Sequence, residues 1–149
     1  MMSKPEYVYV TYINAPVDKV SDALTDPEMT KDYWGRARNV SDWQPGSRWE
    51  HQHYDDASDI AVAGTVLECD PPHKLAVTWA KPGGGSESRV TYLLEEVFGV
   101  TRLTVTHDQL DDEQAVKRIA QGWPAILSSL KSLLETGHAL QMTRQRWTR

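Results

Sequence analysis

The chain is short of cysteine, of phenylalanine and of positive charge, and each shortage closes off a class of protein. A single cysteine, Cys69, rules out an intrachain disulfide framework and fits a reducing compartment. A net charge of −5 gives no basic footprint, so no nucleic-acid partner is expected. No apolar run approaches the length that spans a bilayer, and the opening MMSKPEYVYV lacks a signal peptide's apolar region. A cytoplasmic protein without a membrane partner is therefore expected. Against one phenylalanine stand six tryptophans. Large rings with a polar edge suit cores, cavity walls and interfaces.

With 149 residues, 40% of them apolar, the chain is read as one folded domain, 1–149, with a core over about 7–137 and a loose polar tail over 138–149. Tyr7 to Ile13 is β-branched and aromatic, hence a strand. Asn14 is expected to cap a short helix carrying Val17, Val20 and Leu24 on one face, and Pro27 to open a second through Trp34. Strands follow over 48–53, 60–69, 74–79, 88–95 and 101–107, separated by turn-forming stretches spaced as hairpins. Asp111-Asp112 then caps a long C-terminal helix. In it Trp123, Leu127, Leu130 and Leu134 share one face, Ser128, Ser129, Lys131, Ser132 and Glu135 fall largely opposite, and Gly137 is the stop. Grouped antiparallel strands with a helix at the end predict an α+β fold in which the helix covers the apolar face of the sheet.

The segments Ile13-Asn-Ala-Pro-Val-Asp-Lys-Val, Ala23-Leu-Thr-Asp-Pro-Glu, Tyr33-Trp-Gly, Gly64-Thr-Val-Leu-Glu, Asp70-Pro-Pro-His-Lys-Leu, Ser88-Arg-Val-Thr-Tyr, Thr101-Arg-Leu-Thr-Val-Thr-His and Gly122-Trp-Pro-Ala-Ile-Leu, taken in order, resemble the SRPBCC (START-like) superfamily. The nearest branch is that of homologues of the activator of the heat-shock-protein-90 ATPase. The resemblance implies a helix-grip fold: a curved antiparallel sheet wrapped around the long C-terminal helix, two short helices after the first strand, and an internal apolar cavity. It also implies a co-chaperone-like interaction module as an alternative function. The eukaryotic co-chaperone has a separate N-terminal domain for which this chain has no room, so little stimulation of such an ATPase is expected.

Pro124 lies inside the helical pattern. It donates no N–H and crowds the carbonyl of Ala120, so a continuous helix would kink near Gly122, and the first half would be free to act as a lid. The alternative is a helix that restarts at Trp123, with Pro124 in its first turn.

Strand parity places His51 and His53 on the face of Trp49, and His107 on that of Leu103 and Val105. Two histidines at i and i+2 can share a metal, but no third ligand follows at short spacing, so no metal is expected. No nucleophile elbow or phosphate loop is present, and no cofactor is expected. His107 with Tyr12, Tyr54 or Tyr92 would supply acid–base chemistry in a cavity, and an enzyme of the polyketide cyclase or dehydratase type would use His51, His53 or His107. The leading expectation is a non-enzymatic binder of a small hydrophobic or amphipathic ligand. Its cavity candidates are Trp34, Trp49, His51, His53, Trp79, Tyr92, His107, Trp123 and Leu127. Trp43 is expected on a loop or on the surface of a homodimer.

Overall fold

A computed structural model of the chain describes residues 4–146. The strands are Tyr7–Ile13 (β1), Ala37–Ser41 (β2), Arg48–His53 (β3), Asp56–Asp70 (β4), Lys74–Trp79 (β5), Ser88–Val97 (β6) and Val100–Asp108 (β7). They form one antiparallel sheet in the order β1-β7-β6-β5-β4-β3-β2, curved but not closed into a barrel. Two short helices, Val17–Thr25 (α1) and Pro27–Tyr33 (α2), follow β1, and Glu113–Thr136 (α3) lies across the concave face. This is the helix-grip α+β architecture.

The inward parity holds along β7, where Thr101, Leu103, Val105 and His107 are buried and their neighbours are not. In β6, Val90, Tyr92 and Leu94 line the same side. From α3, Trp123, Ile126, Leu127 and Leu130 close the core against them. Asp112 caps α3, its side chain accepting the Ala115 N–H at 2.9 Å. The helix runs unbroken through Pro124 to Gly137, so it does not restart at Trp123.

The structure adds to or corrects the sequence reading at four places. Asn14 caps nothing: Pro16 occupies the N-cap of α1, and the Asn14 N–H instead donates to Glu135 Oε2 at 2.7 Å. Strand β2 has no counterpart in the sequence reading, because its buried Ala37 and Asn39 look like loop residues. Trp43 does sit on a loop, yet its ring packs against the core and lines a small recess of about 190 Å³ beside Cys69 and Leu75.

The fourth concerns the tail. Residues 138–146 are docked, and 147–149 lie outside the described residues. Gln141–Thr143 forms one 3-10 turn, with Thr143 fully buried. The Thr143 Oγ1 lies 2.6 Å from Ser129 Oγ and 3.0 Å from the carbonyl of Asp32, while its own carbonyl accepts the Gly35 N–H at 2.8 Å. Ser129, expected on the outer face of the helix, is therefore 0% exposed: the returning chain covers it. This return carries Arg146 to the cavity.

Candidate functional site

Five aromatic side chains from five elements meet between the sheet and the first half of α3. Trp34 ends α2, His51 comes from the middle of β3, Trp79 ends β5, His107 lies near the end of β7, and Trp123 comes from α3. Ring centroids stand 5.0 Å apart for Trp34–His51, 5.5 Å for Trp34–Trp123, 5.7 Å for Trp79–Trp123 and 5.4 Å for Trp79–His107. Planes are tilted or edge-on, the arrangement that sets a ring's positive edge against a neighbour's negative face. These rings line a cavity of about 600 Å³, within the range that holds a small organic ligand. Its other end is rimmed by the exposed Lys81, Ser86, Asp111, Arg118 and Arg146. Aromatic rings thus line one part of the cavity and charged side chains another.

The imidazoles are not interchangeable. The indole N–H of Trp123 can only donate, and it lies 3.1 Å from His107 Nδ1, which must accept. His107 then carries its proton on Nε2 and donates it to Ser88 Oγ at 2.8 Å, and that hydroxyl reaches the Trp79 carbonyl at 3.2 Å. Both ring nitrogens are used. At His51 the opposite tautomer is fixed. Asn39 Nδ2 donates to the Leu24 carbonyl at 3.2 Å, which orients the amide and turns Oδ1 to His51 Nδ1 at 2.7 Å. Nδ1 therefore carries the proton, and Nε2 keeps its lone pair. Burial pushes both histidines down to about 4, so each is neutral at pH 7; for His107 the nearby Asp108 opposes this weakly.

At the rim, the Asp55 N–H donates to His53 Nδ1 at 3.2 Å, which leaves Nε2–H of His53 as a donor. Asp59 pairs with Arg146, and Asp111 with Lys4 and Ser86. Lys81 and Arg118 have no ion-pair partner among the described residues.

Of the nine residues singled out from the sequence, Trp34, His51, His53, Trp79, His107 and Trp123 line the cavity. Three do not. Trp49 lies behind Trp79, centroids 5.5 Å apart, its indole N–H donating to the Thr78 carbonyl at 2.7 Å. Tyr92 stands edge-on behind Trp123 at 6.1 Å, and Leu127 is buried one turn further along α3. Parity gave their face but not their depth.

The acid–base pairings with tyrosine also fail. Tyr12 points out from the far face of the sheet, and Tyr54 lies outside under Arg36 and Arg38, its hydroxyl donating to Glu28 at 2.6 Å. Among the described residues no three His, Cys, Asp or Glu side chains gather where they could hold a metal ion.

Sequence reasoning missed Ser88, Asn39, Arg118 and Arg146. Ser88 was findable, since it shares parity with Val90 and Tyr92. Asn39 was not, because β2 itself was not recognised.

The comparisons agree with this fold. No curated protein matches the sequence. Among solved structures, the crystal structure of CalU16 from Micromonospora echinospora superposes with a TM-score of 0.73 at 25% identity, over 89% of this chain and 77% of that one. ChR145 from Cytophaga hutchinsonii gives 0.72 at 28% identity, over 92% and 98%. DynU16, a protein of the dynemicin biosynthetic locus, gives 0.75 at 24% identity; the match covers 90% of this chain but only 48% of DynU16, and shows the fold. The sequence profile of the Activator of Hsp90 ATPase homolog 1-like proteins matches residues 14–135, most of the chain. The chain thus belongs to the Activator of Hsp90 ATPase homolog 1-like family, within the START-like superfamily.

Proposed function

We propose that the protein binds a small hydrophobic or amphipathic molecule in the aromatic cavity and does not transform it. One observation carries the reading: three indoles and two neutral imidazoles converge on about 600 Å³ of space that opens at a charged rim. Aromatic walls favour an apolar body, and the unpaired Lys81 and Arg118 at the rim favour a polar or anionic end. A non-enzymatic role is supported by the chemistry available. His107 has both nitrogens committed, the rim carboxylates Asp59 and Asp111 are already paired, and His51, whose Nε2 stays open, is backed by the neutral Asn39 amide and not by a carboxylate.

A thermal-shift screen with fatty acids, aromatic polyketides and phenolics tests the reading. At least one class should raise Tm, and Trp79→Ala should abolish the rise. If no compound raises Tm, while a pulldown yields one stoichiometric partner, the protein is an interaction module instead.

Entry is assigned to the first half of α3, whose Ala115, Arg118, Ile119 and Gly122 border the cavity. Before Gly122 only Ala115 is buried, whereas Ile126, Leu127, Ser129 and Leu130 are buried beyond it. Pro124 also withholds the N–H that the Ala120 carbonyl would otherwise accept. The first half should open at lower free energy. Amides of residues 116–121 should exchange faster than those of 127–134, and Pro124→Ala should narrow the gap. Equal protection in the parent protein would eliminate the lid.

A further inference from the structure

Among the polar groups around the cavity, one nitrogen stands apart. His107 Nδ1 and Nε2 are both engaged, and the Ser88 hydroxyl accepts from one and reaches the Trp79 carbonyl. The Gln52 amide is spent on Glu50 and Arg38, at 2.8 and 3.0 Å. Of the buried polar side chains on the cavity wall, only that of His51 keeps an atom, Nε2, without a protein partner, although the residue is only 8% exposed. No buried side-chain nitrogen or oxygen among the described residues lacks a partner, so this atom reaches the open space of the cavity. Its tautomer is held by a relay from the Leu24 carbonyl through the Asn39 amide to His51 Nδ1–H. The protein has thus fixed a lone pair, rather than an N–H, toward the ligand space. Leaving such an acceptor unmet when a ligand displaces water is costly, and meeting it is the usual source of discrimination between otherwise similar molecules.

Resting on the cavity-binding reading above, we propose that the cavity selects an aromatic molecule bearing a proton donor, a hydroxyl or a ring N–H, and that His51 Nε2 accepts it. Asn39 is a positioning residue, acting by holding the tautomer. A ligand of the same shape that offers only acceptors leaves the lone pair unpaired and binds more weakly.

The test compares 2-naphthol with 2-methoxynaphthalene by fluorescence or calorimetric titration. The ether is the more apolar of the two, so partition alone favours it. The parent protein should nevertheless bind 2-naphthol roughly tenfold more tightly. His51→Phe, which keeps an aromatic wall, should reduce the preference to about twofold or less. Because that variant leaves the Asn39 carbonyl without its donor and is liable to unfold, a second measurement needs no substitution. Imidazole 15N spectra of the parent should show Nδ1–H for His51 and Nε2–H for His107, and 2-naphthol should shift His51 Nε2 selectively. Equal affinity for the two probes, or an Nε2–H tautomer at His51, overturns the proposal while leaving cavity binding intact. Failure of both probes to bind overturns the cavity reading, and this proposal with it.

Discussion

Replacing Gly64 with alanine should destabilise the protein by about 3 kcal/mol or more, the upper range for overpacking a tight site. A Cβ at this position would lie 2.1 Å from the Thr78 carbonyl oxygen and 2.6 Å from both Thr78 C and Oγ1. All three atoms belong to a residue that cannot step aside cheaply. Its carbonyl accepts the Trp49 indole N–H at 2.7 Å, and its hydroxyl accepts the Thr65 N–H at 2.8 Å. Retreat of β5 would break both bonds and carry Trp79 out of the cavity wall. Gly64 thus serves by having no side chain where β4 meets β5, and left-handed backbone is not its role. Gly46 is the converse, with φ of 90° and open space around it. Its alanine variant should cost only about 1 kcal/mol, the backbone penalty alone. Urea denaturation compares the two directly, and a Gly64→Ala cost below that of Gly46→Ala would refute the close approach.

The second large effect is on pH. His51 and His107 titrate near 4 in the fold and near 6.5 once unfolded, because burial disfavours their charged forms. The folded values are the lower ones, so the unfolded chain binds more protons between these limits. Stability is full above about pH 6.5 and is lost as pH falls toward 4. Integrating two such groups from pH 7 to 5.5 gives a loss of about 2.5 kcal/mol. Protonating His107 Nδ1 would in addition set an N–H against the Trp123 indole N–H. Chemical denaturation at half-unit intervals should show this slope, and His51→Phe or His107→Phe should each remove about half of it. A flat profile from pH 7 to 5.5 would mean that neither imidazole is held neutral by burial.

Much of the scaffold was readable in the sequence, for a simple reason. Where one face of an element is buried and the other wet, side-chain parity records it, as in Leu103, Val105 and His107 of β7 and in the Trp123–Leu130 stripe of α3. The site was only partly readable, because three of its determinants leave no periodic trace. Depth is one: Trp49 and Trp79 both face inward, yet one stands in front of the other. Local irregularity is another. The register shifts on either side of Gln52, so His51 and Gln52 are both buried in succession. Tertiary return is the third. A polar tail binds Ser129 and brings Arg146 to Asp59 across the cavity, and an asparagine from an unrecognised strand sets the tautomer of His51.

Cavity binding is tested most directly by following the indole N–H signals of the 15N-labelled protein during titration with the best compound from the thermal-shift screen. The account predicts saturable shifts of Trp34, Trp79 and Trp123, a smaller response from Trp49 behind them, and none from Trp43, whose ring lines the separate recess. Shifts centred on Trp43, or a ligand that raises Tm while leaving all three cavity indoles unmoved, would contradict it.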